Sequence, residues 1–398
     1  MIIIWKSPIR KQSRMPKLYH IPLFLFGCFY YLIIPVIVVI SKNWEAFPGM
    51  DNIYAYYKDK YLLDYFLLVL FIGISYVLGS YVPLLKINIK ELPAVRFAFK
   101  SSSLFIASIP LLLYCQYLMV VNRGDLFQGY MIEVDAPFVG TIASATVFYL
   151  FLYLYNLNGV YSKTINYILI LVLCELSFVL LGLGTRMYAL IAFVALLVYL
   201  LDNNLISYKK LILWSGLGVV MLLFVGIWRM GDSDFTMEQL VYIGVAEPTF
   251  TWISAISMYD LNELPLFSLP YNFVSSFINF IPSALLPDKS SMLADFALKF
   301  DSPLGATNIL LSLVSNFGVI GSLLAVFLLG FLISFVRLYW NSVFGQTYYY
   351  CICGVIPFQL FRDPLYVVNK EFFSNLIIVP AVIILVYKIY VTVFYRYR

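Results

Sequence analysis

WRMGDSDF at residues 228–235 and SFINFIPSALLPDKSSM at residues 276–292 belong to the interval that decides the fold, Arg229 to Gly305. It is the one long stretch that does not divide cleanly into membrane spans. The stretch is too apolar for a solvated domain and too often interrupted by proline for a spanning helix. Irregular backbone persists beside a bilayer only where protein or a wet cavity satisfies its polar groups. We therefore expect residues 229–305 to form one large external loop, with interfacial helices, that caps a site at the membrane surface.

The rest of the chain is strongly apolar and predicts an all-α membrane protein. Hydrophobic residues make up 62% of its 398 residues and charged residues only 12%, whereas about a quarter of a globular protein is charged. Apolar runs of roughly 17–25 residues, the length that crosses a bilayer, predict about ten transmembrane helices in a single integral membrane domain, residues 1–398. The predicted spans are 18–41, 61–83, 102–121, 138–157, 165–183, 187–201, 211–228, 308–336, 347–361 and 374–394.

The positive charges predict how these helices are oriented. Sixteen of the 26 Lys and Arg residues fall on the side that carries the N-terminus, and ten fall on the other side. Cationic loops tend to stay in the cytoplasm, so both termini are expected to be cytoplasmic and the loop at 229–305 external. The single histidine, His20, starts the first span, and we expect an interfacial residue rather than a ligand or a base.

Three arginines fall at predicted outer helix ends and suggest an anion site. Arg186 lies in the tight turn LGLGTRMYAL, Arg229 follows Trp228 at the end of a span, and Arg362 lies in FRDPLY. A guanidinium is always charged and binds phosphate oxygens through two parallel hydrogen bonds, as a diphosphate requires. Each arginine alone is equally well explained as a membrane anchor. Together, beside a capping loop, they favour an anion site.

The acidic residues supply candidates for a general base. Glu247 precedes Pro248 in an apolar stretch, where desolvation strengthens a carboxylate as a base for a hydroxyl proton. An ion pair with one of the arginines is the alternative. Asp232 and Asp234 form a D-x-D spacing that can hold a divalent metal, but short acid pairs in such loops are usually solvated, and we expect no metal. Acids inside spans are functional candidates by default; here they are Glu175 and Asp64.

Five short segments, in this order, resemble the O-antigen polymerase (Wzy) family of oligosaccharide repeat-unit polymerases. They are GLGTRMY at 182–188, AEP at 246–248, NFIPSALLPDKS at 279–290, NFGVIG at 316–321 and FRDP at 361–364. The N-terminal half is similar to the family only in hydropathy. Such proteins look like the broader GT-C and O-antigen ligase group, in which arginines hold the diphosphate. The histidine of the ligase's external loop has no counterpart here, so the base remains open.

The resemblance implies a glycosyltransferase at the outer, periplasmic face of a bacterial inner membrane. It would polymerise oligosaccharide repeat units linked to undecaprenyl diphosphate, without a metal or other cofactor. The expected catalytic residues are Glu247, Arg186, Arg229 and Arg362. The expected substrate-binding residues are Lys289, Asn316, Trp252 and Tyr271. The expected partners are the lipid-linked oligosaccharide, membrane lipid and, as a further candidate, a chain-length regulator protein, with no role for nucleic acid.

Other functions remain open at this point. A flippase or other transporter of lipid-linked oligosaccharides commonly has repeated halves and polar residues at the membrane midplane, and no repeat is evident here. An O-antigen ligase-like glycosyltransferase is a second alternative. A membrane acyltransferase is disfavoured, because the only histidine lies at the inner end of the first span.

Overall fold

The computed structural model describes 17–41, 51–57, 59–85, 101–126, 136–159, 162–230, 237–261, 264–270, 307–340 and 342–369, with isolated positions at 274–302 and 381–389. Helices occupy most of these residues, and no strand occurs among them. The all-α prediction is therefore confirmed for the described part of the chain.

Thirteen helices are described with continuous bounds. The first seven are α1 His20–Ile40, α2 Asp51–Tyr57, α3 Leu62–Tyr81, α4 Ser101–Val121, α5 Ala136–Asn158, α6 Lys163–Gly182 and α7 Arg186–Asp202. The other six are α8 Tyr208–Met230, α9 Met237–Ser257, α10 Ile309–Tyr339, α11 Val343–Val355, α12 Gln359–Arg362 and α13 Leu365–Asn369. A π-helical turn, Cys28–Ile33, interrupts α1 near its middle.

Seven of the described helices are long and apolar enough to cross a bilayer. They are α1, α3, α4, α5, α6, α8 and α10. Two other predicted spans are shorter. The 17 residues of α7 and the 13 residues of α11 reach about 25 Å and 20 Å at 1.5 Å per residue, against a hydrocarbon core of about 30 Å. The predicted span at 374–394 lies largely outside the described residues. A polytopic membrane protein is thus supported, and the number ten stays a prediction.

Close backbone contact holds α3 against α10, the largest helix interface among the described residues. A Cβ atom at Gly79 would overlap the backbone carbonyl of Phe327, and one at Gly330 would lie 2.5 Å from the carbonyl oxygen of Tyr76. Small residues are common at helix contacts in lipid, because association there depends on packing rather than on the hydrophobic effect. These two glycines let the helix backbones touch.

A buried polar network ties four helices together at one end of the bundle. Arg337 of α10 donates to Asp202 at the end of α7 over 2.6 Å, with side chains only 1% and 7% exposed. Tyr350 of α11 also donates to Asp202. His20 of α1 is fully buried between Tyr349 at 3.1 Å and Ser334 at 3.0 Å. The expectation that His20 is an interfacial residue is therefore wrong, because helix packing encloses its ring.

A break in α10 gives the NFGVIG segment its structural role. Gly318 has φ +75°, a left-handed conformation that strains any residue with a Cβ. The backbone of 264–270 fills the break: Val319 donates to the Pro265 carbonyl and Ser268 donates to the Phe317 carbonyl, both over 2.9 Å. This loop therefore supplies the hydrogen bonds that the broken helix lacks.

The interval 229–305 does not form only a cap on the membrane surface. After Arg229 and Met230, which end α8, it contains α9, a helix of 21 residues. The segment from Thr251 to Met258 is buried throughout. This helix packs on the second half of α1. The expectation of a surface cap needs correction here, since α9 belongs to the packed interior of the bundle. Residues 231–236 and most of 271–306 lie outside the described part of the chain.

Gly79→Ala should lower the melting temperature of the detergent-solubilised protein, because the added methyl group has only backbone to displace. Overpacking of this kind costs about 1–3 kcal/mol. Gly73→Ala on the same helix is the matched control, since its Cβ would meet only Leu25 at 3.9 Å. Equal melting temperatures for the two variants would show that the α3 and α10 backbones are not in direct contact.

Candidate active site

Arg362 lies between two carboxylates and follows Phe361, whose ring stacks on Tyr31 near the middle of α1. Its Nε atom is 2.7 Å from Oε1 of Glu247, and its Nη1 donates to Oδ1 of Asp363 over 2.9 Å. About a third of the Arg362 and Glu247 side chains is exposed, at 33% and 35%, whereas Asp363 is nearly enclosed at 9%. The site is thus an ion-pair cluster with one open side.

Two prolines place Arg362 inside the protein rather than on a regular helix. The chain turns after Val355, passes Pro357, and forms the four-residue helix α12 before Pro364 ends it. A residue before proline is driven to an extended conformation, and Asp363 has φ −98° and ψ 147°. The carbonyl that Arg362 exposes accepts a hydrogen bond from Thr307 N–H at 3.1 Å. The break is therefore internally satisfied, as irregular backbone at a membrane must be.

The charges of this cluster support one another. Burial disfavours the charged Arg362, but Asp363 and Glu247 outweigh burial and raise the pKa of Arg362 above its ordinary value. Burial raises the pKa of Asp363, although Arg362 opposes that shift and the Gln359 amide beside the carboxyl opposes it as well. Arg362 therefore keeps its positive charge, which is the property that an anion site needs.

A proline in α9, Pro248, shapes the helix beside Glu247. Pro248 lies inside α9 and has no N–H to donate to the carbonyl four residues earlier. That carbonyl belongs to Gly244, and the Tyr30 hydroxyl donates to it over 2.7 Å. Tyr30 thus replaces the hydrogen bond that Pro248 removes. In the AEP segment, Pro248 removes one backbone hydrogen bond of α9 beside Glu247, and Tyr30 of α1 supplies the replacement donor.

Tyr30 is a residue that the sequence analysis did not select. It lies in the π-helical turn at the middle of α1, and such turns are frequent at functional sites. Pro35 follows at the start of the next helical turn and leaves the Tyr31 carbonyl without its usual donor. The signal available in the sequence was a pair of tyrosines one helical turn before Pro35 in an apolar run, because that proline leaves a backbone carbonyl without its donor. Tyr30 lies within electrostatic reach of both Glu247 and Arg186.

Arg186 reaches the same region from the start of α7. The turn before it contains Gly184 with φ +78°, which explains the glycine of the GLGTRMY segment. A Cβ at Gly226 of α8 would lie 3.1 Å from Nη1 of Arg186 and closer still to Ile243 of α9. Arg186 is therefore packed where α7, α8 and α9 meet, one helical turn along α9 from Glu247.

The structure brings three of the four expected catalytic positions together as a neighbourhood and leaves the fourth incomplete. Tyr30 lies within electrostatic reach of Glu247 and Arg186. Glu247 in turn forms the ion pair with Arg362. The backbone of Arg229 belongs to the last turn of α8, and its side chain lies outside the described residues. Lys289, Tyr271, Asp232 and Asp234 also lie outside them.

Two expected substrate-binding residues have packing roles. Trp252 is fully buried, stacked on Tyr54 at 5.8 Å and edge-on to Tyr57 at 6.3 Å. Its ring faces are occupied by protein, so it presents no surface to a sugar. Asn316 is 4% exposed and donates to the Ser312 carbonyl over 2.7 Å. It stabilises the helical turn before the Gly318 break.

The acidic residues also bear on the metal question. Within the described ranges, no three His, Cys, Asp or Glu side chains come close enough together to hold a metal ion. The alternative interpretation of Glu247, an ion pair with an arginine, is what the structure shows. The ion pair is compatible with the hypothesis that Glu247 is a base. Arg362 is itself a candidate ligand for an anion, and binding an anion would free Glu247 from the pair.

No protein-family model matches the chain, and no curated protein or solved structure matches it. The resemblance to O-antigen polymerases therefore depends on the short sequence segments. The fold supports only the broader class, a helical membrane protein with a partly exposed ion-pair cluster among its helices.

Arg362→Gln should destabilise the protein more than Glu247→Gln. Removing the guanidinium leaves two carboxylates unpaired, which costs roughly 3–5 kcal/mol when fully buried and about half of that at one-third exposure. Removing only the Glu247 charge should cost about 1 kcal/mol or less, because this ion pair is about one-third exposed and Arg362 keeps its contact with Asp363. Melting temperatures of the purified variants measure the order. Equal losses would contradict a bridging role for Arg362.

Tyr30→Phe should cost about 0.5–1.5 kcal/mol, the net contribution of one hydrogen bond, because the Gly244 carbonyl that loses its donor is only partly buried. Tyr76→Phe is the matched control, because the Tyr76 hydroxyl is buried with no partner among the described residues. Thermal unfolding should show a clear loss for the first variant and none for the second. A loss of the same size in both would assign the effect to aromatic packing instead.

Proposed function

We propose that this protein is a polysaccharide polymerase that transfers a growing glycan from undecaprenyl diphosphate to the terminal sugar of another lipid-linked repeat unit. The reaction would take place at the outer face of a bacterial inner membrane. The observation that supports it most directly is the position of Arg362, a permanently charged group held by a candidate base and open to one side. A glycosyl transfer with an anionic leaving group needs both a cation that stabilises the leaving group and a base that deprotonates the acceptor hydroxyl.

Arg362 would exchange partners when the donor binds. Its contact with Glu247 uses Nε alone, whereas a diphosphate can take two parallel N–H groups and carries more charge. Arg186, near the same site, would hold a second phosphate. Donor binding would then release Glu247 from the ion pair and make its carboxylate available as a base. Binding of the leaving group and activation of the acceptor would be coupled through one guanidinium.

The chemical step follows from this arrangement. Glu247 takes the proton of the acceptor hydroxyl, and the acceptor oxygen forms a bond to the anomeric carbon of the donor glycan. The bond from that carbon to the diphosphate oxygen breaks, and the electron pair leaves with undecaprenyl diphosphate. Arg362 and Arg186 stabilise the resulting charge, an electrostatic contribution that is usually the largest in such reactions. The resting-state ion pair keeps Glu247 from acting as a base on other hydroxyls.

The polyprenyl chain would lie along α8. Gly226 of α8 touches Arg186, and the same helix exposes Leu213 at 70% and Phe224 at 69% of their surfaces. Such residues face hydrocarbon in a membrane. A lipid tail lying along α8 would bring its diphosphate to the level of Arg186, which supports lateral access from the bilayer.

A transporter of lipid-linked oligosaccharides is a second candidate, favoured by two other observations. Discontinuous helices near the midplane are common in transporters, and here α10 breaks at Gly318 while α11 gives way to α12 after Val355. Polar clusters also occur at both ends of α7, at Arg186 and at Asp202. A polymerase needs only the first of these clusters.

Arg362→Lys and Arg186→Lys should each reduce surface polymer at least tenfold, because Lys keeps the charge but loses the bidentate fork. A factor of ten corresponds to about 1.4 kcal/mol of transition-state stabilisation. Glu247→Gln should behave similarly. The measurement is the glycan length profile of a deletion strain complemented with each variant at equal abundance in the membrane.

Arg123→Lys serves as the control, since Arg123 lies in an exposed turn after α4. Single repeat units on lipid, exported normally, indicate lost polymerisation. Loss of every exported product in the deletion strain would favour the transporter. Wild-type polymer from both Lys variants at 186 and 362 would return these arginines to the role of membrane anchors.

A further inference from the structure

A carboxylate and an amide form a hydrogen bond between two helices that are candidate membrane spans, and neither residue belongs to the Arg362 ion-pair cluster. Nε2 of Gln116 on α4 donates to Oε1 of Glu175 on α6 over 2.8 Å. Both helices are candidate spans. Glu175 lies seven residues before the end of α6 and Gln116 five before the end of α4, which at 1.5 Å per residue places them about 8–10 Å from those ends.

Glu175 is exposed and Gln116 is partly exposed at the outside of the bundle. On α6, Leu171 and Phe178 are 69% and 60% exposed, and Cys174 and Glu175 are exposed between them. The spacing i, i+3, i+4, i+7 puts these four side chains on one helix face. On α4, the flanking Leu113, Tyr117 and Val120 are 64%, 62% and 67% exposed. A polar pair therefore lies at the centre of an apolar surface formed by two helices.

Hydrocarbon cannot satisfy this pair. An acidic side chain inside a bilayer is unfavourable by at least a few kcal/mol unless a partner compensates it. Among the described residues, the 2.8 Å contact is the single hydrogen bond that either side chain makes. The second carboxylate oxygen accepts nothing there, and the second amide N–H donates to nothing. This part of the described surface therefore lacks a second polar partner.

We propose that a second copy of this chain covers the face formed by α4 and α6. The two groups left over are one acceptor and one donor, and a two-fold axis would set each against its complement on the other copy. Each Gln116 amide would donate to both Glu175 carboxyl groups, closing a ring of four hydrogen bonds. A partner helix that offers only a cation would satisfy the carboxylate but leave the amide N–H unmatched. The self-complementary arrangement is therefore favoured over a cationic partner.

Polar side chains are effective contacts between helices in lipid, because neighbouring apolar residues meet equally apolar acyl chains. Leu171, Phe178 and Leu113 would pack around the polar ring and exclude lipid from it. The dimer does not depend on the proposed glycosyl transfer, since neither Glu175 nor Gln116 contributes to the Arg362 site.

Cys174 provides a native reporter for this dimer. Of the five cysteines it alone is exposed, and it lies beside Glu175 on the proposed interface. The experiment treats membranes that contain the full-length protein with a short bis-methanethiosulfonate crosslinker and measures the fraction of chain that runs at twice 45.7 kDa. Cys174→Ser must abolish that species.

Glu175→Leu and Gln116→Leu should each reduce the crosslinked fraction about tenfold at matched abundance, and Glu175→Gln, which keeps one of the two acceptor oxygens, should reduce it less than Glu175→Leu does. An unchanged fraction in both Leu variants would overturn the proposal. A crosslinked species whose mass includes a different protein would also overturn it and identify a hetero-partner. Modification of Cys174 by a maleimide without any crosslink would show that the face meets lipid only.

Discussion

Hydrocarbon offers no hydrogen bonds, and this constraint governs where the chain can break its helices. The clearest case is the Tyr30 hydroxyl, which donates to the Gly244 carbonyl that Pro248 leaves without a donor. One side chain of α1 thereby satisfies the backbone of α9 and fixes the level of Glu247. The breaks after Val355 and at Gly318 follow the same rule, because neighbouring segments supply the missing hydrogen bonds. The candidate site exists only where such substitutes are available.

Two of the described ion pairs, Arg337–Asp202 and Arg362–Glu247, differ in burial, and the difference separates their roles. Arg337 and Asp202 are almost completely enclosed, so their charges have no access to a ligand and serve to join helices. A buried pair is not in itself strongly stabilising, but losing one partner is costly because the other charge stays desolvated. Arg362 and Glu247 keep a third of their surface open. They can exchange partners at a much smaller desolvation cost, which is what binding an anion requires.

The motif segments have separable structural and chemical parts. Gly184 and Gly318 are required by their backbone conformations, and Pro248 shapes the helix around the acid. Arg186, Glu247 and Arg362 are the residues whose chemistry these conformations present. Asp363, quoted within FRDP but not selected from the sequence, completes the Arg362 site. A motif of this kind therefore predicts where the site lies more reliably than it predicts which of its residues takes part in the chemistry.

The sequence by itself determined the class of protein, because membrane insertion depends on long apolar runs that can be read locally. It also identified Glu247 and Arg362 as candidates, since charges are rare in such a chain. Only the tertiary structure decided that these two residues are paired, that His20 and Trp252 are enclosed, and that α9 is part of the interior. The reason is physical. When lipid and protein interior are equally apolar, hydropathy does not distinguish a helix face that meets lipid from one that meets another helix.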